Sequence, residues 1–367
     1  MRNVKSGSSQ RSFRERIFRE SQGALPNTLA LGYALGGYAL GFVLFVQGGL
    51  AGNVLGVLLC AHSMFIAAYL LHEAMHHTLF ATRFANRAVG EVLSFVAGSS
   101  YASYERMRRL HLRHHHERAD VSCFDYQAFL RRCPSWVRTL VLALEWAYVP
   151  AVEALMHLQV IVRPLLVASE RRHLPRVVLM LVLRLGLLAL LALAAPHAVL
   201  SYFLAYGLLL TGLHFFDAFH HTYQQYFIPP DAPLPVPVPS REYEQANTYS
   251  NVIAIRPAWV NLLCLNFGYH NAHHERAGVP WYRLPALHRE LFSAEASATQ
   301  PLPAQALPVQ ALPAQPALLL PLSELLVTFH RHRVRRVLAS DYGQLGTGAG
   351  RADGFVGAHG VSFLSVV

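Results

Sequence analysis

Charged residues are scarce in this chain of 367 residues. They make up 14% of the sequence, while hydrophobic residues reach 53%. A soluble domain typically carries about 25% charged residues. So apolar a composition excludes a disordered chain and argues against an ordinary soluble protein, and it favours a lipid environment.

Lysine is nearly absent, and cysteine is rare. Lys5 is the only lysine, so the formal net charge of +10 comes almost entirely from arginine. A basic chain with long apolar runs suits an anionic cytoplasmic leaflet, and we expect no nucleic-acid partner. The cysteines show no C-x-x-C spacing, which excludes a readable thiolate metal site, iron–sulfur domain or disulfide framework. They are Cys60, Cys123, Cys133 and Cys264.

Four apolar runs reach the length of about 20 residues that a bilayer core requires. They lie at about 25–46, 49–71, 177–195 and 198–216. Short turns join the first to the second and the third to the fourth, which predicts two helical hairpins. Arg184 falls inside the third run, where a charge normally faces a partner or a cavity.

The distribution of basic residues predicts the orientation of these spans. Both short turns lack Lys and Arg, whereas the first 24 residues are basic, so the positive-inside rule places the N-terminus in the cytoplasm. The basic residues are Arg2, Lys5, Arg11, Arg14, Arg16 and Arg19. A signal peptide is the alternative, but the apolar run exceeds the usual 7–15 residues. We expect an integral protein of a bacterial inner membrane.

The remaining segments predict a simple domain organisation. Residues 1–24 form a basic tail, 25–292 the membrane domain, 293–317 a low-complexity Pro/Ala/Gln linker, and 318–367 a basic amphipathic helix with a C-terminal tail. Apolar residues at helical spacing predict an amphipathic helix on the membrane surface over 137–148, and prolines mark an extended loop over 229–239. The helix predicted over 322–338 is either a membrane-surface or a docking element.

Histidine is abundant, with 21 residues, and its spacing is informative. The clusters are His72-Glu-Ala-Met-His76-His77, His111-Leu-Arg-His114-His115-His116 and His270-Asn-Ala-His273-His274. Residues at i, i+3 and i+4 share one face of a helix, so each cluster directs several imidazoles to one point. Imidazole binds iron, zinc or copper.

A further candidate element follows the fourth apolar run. Asp217 and His221 stand there at i, i+4 spacing. Asp217 is either a direct ligand or an acceptor that orients a ligand imidazole. An even number of spans separates the second and third clusters, so all clusters open to the cytoplasm. Together they exceed the needs of one tetrahedral zinc but suit two metal ions that keep open positions for oxygen.

The three clusters resemble the histidine boxes of the integral-membrane fatty acid desaturase superfamily, which also includes carotenoid hydroxylases and ketolases and, more distantly, alkane hydroxylases. The resemblance covers residues 25–290 and extends through Pro280-Trp-Tyr-Arg-Leu-Pro285. With the spans, it implies an all-α polytopic bundle of four transmembrane helices under a cytoplasmic histidine-rich helical cap.

The resemblance also implies a ligand set. The family pattern carries over to His72, His76, His111, His114, His115, His221, His270, His273 and His274. His77 and His116 are further candidates, since a register of His111, His115 and His116 has the same face geometry. Asp217 replaces a residue that is neutral in many family members, and Glu275-Arg276-Ala277 replaces the commoner apolar residue and Pro.

The implied activity is a non-haem di-iron oxidation that uses O2. The expected reaction is desaturation of a fatty acyl chain carried by a lipid or by CoA; the alternatives are a carotenoid ketolase or hydroxylase and an alkane hydroxylase. The two electrons would come from an external ferredoxin-like donor, because the sequence has no haem-binding or iron–sulfur motif. The arginines Arg106, Arg108, Arg109, Arg113 and Arg331 to Arg336 either steer an acidic donor or contact anionic lipid.

Two other classes of protein compete with this interpretation. His72-Glu73-Ala74-Met75-His76 is an H-E-x-x-H sequence, the signature of zinc metalloproteases. One zinc would need only one further protein ligand, which leaves the second and third boxes unexplained. A metal transporter would need ligands along a path within the membrane, whereas these histidines crowd the ends of the spans.

Overall fold

Four long apolar helices dominate the structure. The computed structural model describes residues 17–292, 319–343, 352, 354–359 and 364. Spans 1 to 4 are Ser21–Gln47, Gly49–Met75, Ala168–Ala194 and Pro196–Asp217, each long and apolar enough to cross a membrane. Spans 1 and 2 form one hairpin and spans 3 and 4 the other, so the predicted bundle of two hairpins is confirmed.

Shorter helices surround the spans. The α-helices are Arg83–Val96, Tyr104–Glu117, Tyr126–Arg132, Ser135–Trp146, Ala151–Leu166, Arg241–Ala246, His270–Glu275, Leu284–Phe292, Leu322–His332 and Arg335–Leu338. The first turns of spans 1 and 3 are 3-10 helices, Ser21–Gly23 and Ala168–His173, and two more 3-10 helices occur at Ala258–Cys264 and Trp281–Arg283.

The strands of the described residues form two short parallel pairs, beside a few isolated antiparallel bridges. Asp120–Ser122 pairs with Gln225–Phe227, and Ser250–Val252 pairs with Leu319–Pro321. No closed sheet forms in this part of the chain, so the all-α prediction is confirmed.

Spans 1 and 2 approach closely because small residues line their contact. A Cβ atom on Gly41 would lie 2.8 Å from Cβ of Cys60, and one on Gly56 would lie 3.1 Å from the carbonyl oxygen of Gly41. Small residues of this kind allow membrane helices to pack backbone against backbone. Span 2 is consequently buried from Cys60 to its histidine-bearing end, apart from the half-buried His62.

Arg184 meets polar partners within the bundle, as expected for a charge inside a span. The side chain is 7% exposed. Its guanidinium donates to the hydroxyl of Tyr202 and to the carbonyl of Phe95, both at 2.7 Å. The guanidinium carbon also lies 4.3 Å from the centre of the Phe95 ring. These contacts join the second hairpin to the helix Arg83–Val96.

The amphipathic helix between the hairpins begins and ends two residues earlier than predicted, at Ser135–Trp146. It ends at Trp146, and Tyr148 adopts a left-handed φ of 60°, which turns the chain sharply. The next helix, Ala151–Leu166, is bent by 119° relative to the first. By length and composition this pair would make a fifth span only if both helices counted as one. Trp136 and Trp146 remain exposed, as a helix on a lipid surface requires.

The proline-rich loop is irregular, as predicted, and is held by arginines of the second histidine box. Arg113 donates to the carbonyls of Pro230 at 2.5 Å and Ala232 at 2.8 Å. Arg118 donates to the carbonyl of Pro239 at 2.5 Å. The loop therefore lies against the helix Tyr104–Glu117.

The C-terminal helix differs from the prediction of one helix over 322–338. The chain breaks after His332 and resumes as Arg335–Leu338. Phe329 is buried against Phe215 of span 4, with ring centres 5.0 Å apart. The segment is thus a docking element of the protein, one of the two predicted alternatives. The predicted linker 293–317 and most of the basic tail lie outside the described residues, and the domain boundaries stay predictions.

Candidate metal centre

The first histidine box stands where span 2 ends. His72 and His76 are one helical turn apart, and their ring centres are separated by 4.7 Å. The helix ends at Met75, and His77 has a left-handed φ of 58°, so the chain leaves the helix axis there. His77 does not belong to the groups of histidines whose nitrogens lie close enough together to hold a metal ion.

The second box belongs to the helix Tyr104–Glu117. The hydroxyl of Ser103 accepts from the backbone N–H of Arg106 at 3.3 Å and caps the N-terminus, and Arg118 closes the C-terminus in a left-handed conformation. Helical periodicity then directs His111, His114 and His115 into the centre, while His116 is exposed. The geometry favours the register of His111, His114 and His115.

The third box is a single helical turn that a buried asparagine holds in place. Asn271 donates from Nδ2 to the carbonyl of Thr248 at 2.6 Å and accepts from the hydroxyl of Ser250 at 2.9 Å. These bonds anchor His270–Glu275 to the strand Ser250–Val252 and leave the flanking histidines facing the other boxes.

Five histidines form the larger of two ligand groups. Each offers one nitrogen, and these nitrogens all lie within 4.8 Å of one another. The Nε2 atom of His111 lies 2.7 Å from that of His76 and 3.2 Å from that of His115. The members are His72, His76, His111, His115 and His273, so all three boxes contribute.

The smaller group adjoins the larger. Nitrogens of His114, His221 and His274 lie within 4.8 Å of one another. The Nε2 atom of His270 lies 2.8 Å from Nε2 of His221, which adds a fourth imidazole. His115 of the larger group stacks on His274 with ring centres 4.2 Å apart. The structure thus brings together all nine histidines of the implied ligand set.

Burial keeps seven of the imidazoles outside the spans neutral. It lowers the pKa well below the ordinary histidine value, and neighbouring histidines lower it further. The affected groups outside the spans are His76, His111, His115, His221, His270 and His274. The pKa of His273 falls to about 3 for the same reason. A neutral imidazole is the form that binds a metal, so the donor set fits two metal ions.

Two carboxylates orient ligands of the smaller group. Oδ1 of Asp120 lies 3.0 Å from Nδ1 of His114, and Oε1 of Glu244 lies 3.0 Å from Nδ1 of His274. Glu244 also lies close enough to His115 and His274 to bind a metal ion together with them. Sequence reasoning missed both residues as part of the site. No local spacing links Glu244 to His274, and Asp120 lies beyond the end of the second-box helix.

Asp217 stays outside the ligand groups. Its Oδ1 lies 3.8 Å from Nδ1 of His220, whose ring stacks on His270 with centres 4.0 Å apart. Of the two roles that the sequence leaves open, the geometry favours the indirect one, in which Asp217 acts through His220. His220 itself was not predicted as a site residue.

Glu73 has a structural role that leaves the protease interpretation without support. The buried carboxylate accepts from the hydroxyl of Thr78 at 2.6 Å and from the backbone N–H of Trp281 at 3.1 Å. These bonds tie the first box to the segment that follows the third. His72 and His76 meanwhile converge with three histidines of the other boxes, which a single zinc would not require.

The positive surface is smaller than the sequence predicts. Arg106 forms an ion pair with Glu170 at 2.7 Å, Arg113 pairs with Glu117 at 2.8 Å, and Arg336 is 1% exposed. These arginines serve internal contacts, which corrects their assignment to a surface that steers a donor. Arg109 also forms an ion pair, with Asp231 at 3.2 Å, but its side chain remains 61% exposed.

The helical bundle and the convergent imidazoles define an integral-membrane protein with a histidine-rich candidate metal centre. Residues 49–302 match the family model described as fatty acid desaturase, which covers more than half of the chain. The protein belongs to the fatty acid desaturase family, which is known for di-iron centres, and the predicted resemblance is confirmed. No curated protein and no solved structure matches the chain in the same comparisons.

Proposed function

We propose that this protein is a membrane-bound, O2-dependent desaturase that introduces a double bond into a fatty acyl chain carried by a lipid or by CoA. The observation that carries the proposal is the convergence of nine imidazoles, in two adjoining groups, at the ends of spans 2 and 4. Family membership supports an oxidoreductase of this kind.

Each histidine group would hold one iron. His72, His76, His111, His115 and His273 provide the first site, and His114, His221, His270 and His274 the second. When bound, such a centre supplies the oxidising power to remove two hydrogens from adjacent methylenes. Overall, O2, two electrons and two protons are consumed with these hydrogens, and two waters and one alkene are formed.

The protein's own side chains position this centre and shield it from water. Asp120 and Glu244 accept the Nδ1 protons of their histidines, so that each Nε2 keeps its lone pair for a metal. The ring centre of Phe267 lies 4.7 Å from that of His72 and 5.0 Å from that of His270. The ring of Tyr69 stacks on Phe267, with centres 4.4 Å apart. The rings of Phe267 and Tyr69 pack beside the histidines at the end of span 2, where they would exclude water and contact an acyl chain.

An external donor would deliver the electrons at the exposed face of the second-box helix. A shallow groove of about 330 Å³ there is lined by Arg108, Arg109 and His116, among others. His116 is the neighbour in sequence of the ligand His115, so the groove offers a short path to the centre. The exposed cationic side chain of Arg109 suits an acidic, ferredoxin-like protein. The basic N-terminal residues support a cytoplasmic location for this face in a bacterial inner membrane.

Lipid analysis of cells that express the protein tests this function. We expect new double bonds in acyl chains with the wild type and none with His273→Ala, while His330→Ala, which changes an exposed histidine of the C-terminal helix, serves as a matched histidine control. Oxygenated carotenoids or alcohols instead of alkenes would assign the protein to another activity of the same superfamily. Wild-type protein that binds about two irons per chain in detergent would support the centre, and an iron content that His273→Ala leaves unchanged would overturn it.

A further inference from the structure

A second cluster of metal-ligating side chains lies apart from the histidine boxes. Glu153, His214 and His359 are each more than nine-tenths buried. Each offers one ligand atom, and these atoms lie within 4.8 Å of one another. Glu153 comes from the helix Ala151–Leu166, His214 from span 4 and His359 from the C-terminal segment, so the cluster joins three elements that are distant in sequence.

We propose that Glu153, His214 and His359 bind one divalent transition-metal ion, such as Zn²⁺, at a structural site separate from the two histidine groups. Two imidazoles and one carboxylate form a donor set that suits zinc or ferrous iron. This proposal does not rest on the desaturase activity.

The distances are close to those that a metal requires. Oε1 of Glu153 lies 3.9 Å from Nδ1 of His214. The rings of His214 and His359 are nearly parallel, at 24°, with centres 4.1 Å apart. Ligands of a tetrahedral zinc, each at about 2.1 Å from the ion, are about 3.4 Å apart. Small side-chain movements would therefore close the site around an ion.

His359 gives an independent indication of a ligand. Its side chain is fully buried, yet neither ring nitrogen makes a hydrogen bond to any residue that the structure describes. The nearest carboxylate oxygen, Oε2 of Glu145, is 3.5 Å from Nε2. A buried polar group without a hydrogen bond is costly, and a coordinated ion would satisfy one of these nitrogens.

The charges around the cluster also favour a bound cation. Glu145 and Glu153 bring two buried carboxyl groups to this region, and the buried guanidinium of Arg336 interacts electrostatically with Glu145. Burial lowers the pKa of Arg336 to about 9, so its guanidinium remains charged at neutral pH. A divalent ion would add positive charge beside these buried carboxyl groups.

The residues of this cluster make different contacts from the histidine groups. His214 stacks on His359, whereas His220, beyond the end of the same span, stacks on His270 of the third box. A bound ion would fasten the C-terminal segment to span 4 and to the helix Ala151–Leu166. The metal would therefore act through stability.

Metal counting on the full-length, detergent-purified protein tests the site. Cells are grown with iron and Zn²⁺, the protein is washed with a weak chelator, and both metals are measured per chain. We expect His359→Ala and Glu153→Gln each to lose about one ion relative to wild type. His330→Ala, which removes an exposed histidine of the C-terminal helix, should lose none. His273→Ala should lose ions of the histidine boxes and retain this one.

Thermal unfolding separates ligand loss from misfolding. After strong chelation, added Zn²⁺ should raise the Tm of the wild type and of His330→Ala by several degrees, but not that of Glu153→Gln. Equal metal content in wild type, His359→Ala and Glu153→Gln would overturn the proposal, and so would a Zn²⁺ response unchanged by Glu153→Gln. One ion that is lost only from His359→Ala and Glu153→Gln would support this site even if the di-iron centre proved absent.

Discussion

The carboxylate of Glu244 connects His274 to Arg118. Its Oε1 lies 3.0 Å from Nδ1 of His274, and its Oε2 accepts from Nε of Arg118 at 2.8 Å. The arginine holds the carboxylate, and the carboxylate holds the proton on Nδ1, which leaves Nε2 of His274 free to bind a metal. One ion pair thus fixes both the tautomer and the orientation of a ligand in the third box.

Removal of this carboxylate should weaken metal binding in the smaller histidine group. We expect Glu244→Ala to lower metal affinity about 10–100-fold, because His274 loses the acceptor that orients it. Glu244→Gln keeps an acceptor oxygen and should lose less. Metal titration followed by mass spectrometry measures the effect. Glu242→Ala, on the exposed side of the same short helix, is the matched control, and an equal loss there would contradict the assigned role.

Substitution of His115 and of its neighbour His116 should have very different effects on iron content. His115→Ala removes a half-buried member of the larger group and should abolish desaturation and lower the iron content. His116→Ala changes an exposed side chain and should preserve the iron content. Iron per chain and acyl-lipid profiles provide the two measurements. Loss of iron in His116→Ala with retention in His114→Ala would establish the register of His111, His115 and His116.

Glu73 should behave as a structural residue. Glu73→Ala removes Oε2, the one oxygen that accepts from both the hydroxyl of Thr78 and the backbone N–H of Trp281, so both donors lose this acceptor. We expect the protein to lose about 1–3 kcal/mol of stability, visible as a lower Tm in detergent. If Glu73 were instead the catalytic base of a zinc protease, the substitution would leave the Tm unchanged and abolish activity. Thr78→Val is a matched variant that removes only one of the two contacts.

The exposed arginine of the groove should affect electron delivery. Arg109→Glu reverses a charge on the proposed docking face and should slow donor-driven turnover several-fold at low salt, with a smaller effect at high salt. Turnover driven by a small chemical reductant should not change. Arg335→Glu is the control, since Arg335 is 55% exposed on the C-terminal segment. Equal slowing in both variants would count against a donor site at Arg109.

The contact between spans 1 and 2 should tolerate no extra methyl group at Gly41. Its Cβ would lie 2.8 Å from Cβ of Cys60, so Gly41→Ala should force the helices apart and cost about 1–3 kcal/mol. Gly36 belongs to the same span but has open space around it, so Gly36→Ala should be neutral or slightly stabilising. The Tm of each variant tests this expectation. Equal Tm values for Gly41→Ala and Gly36→Ala would show that the close contact of spans 1 and 2 at Gly41 does not contribute to stability.

Local patterns in the sequence were sufficient for the spans and for most of the candidate ligands. An apolar run of about 20 residues indicates a span without knowledge of its neighbours. Spacing at i, i+3 and i+4 likewise determines which histidines share a face, because helical periodicity is local. For this reason His72 and His76, or His111 and His115, could be predicted as pairs before their partners were known.

Contacts between distant segments decided the rest. Asp120 and Glu244 reach their histidines only when separate elements pack together, and Asp217 turns to His220 instead of a ligand group. Burial of Arg336 depends on the docking of the C-terminal segment, which brings His359 to His214. The sequence determined which faces carry imidazoles, because hydrophobicity and helical period act over a few turns. Only the tertiary structure decided which carboxylates and cations contact those faces, and that Glu153, His214 and His359 form a second cluster. Such contacts arise from packing between residues far apart in the chain.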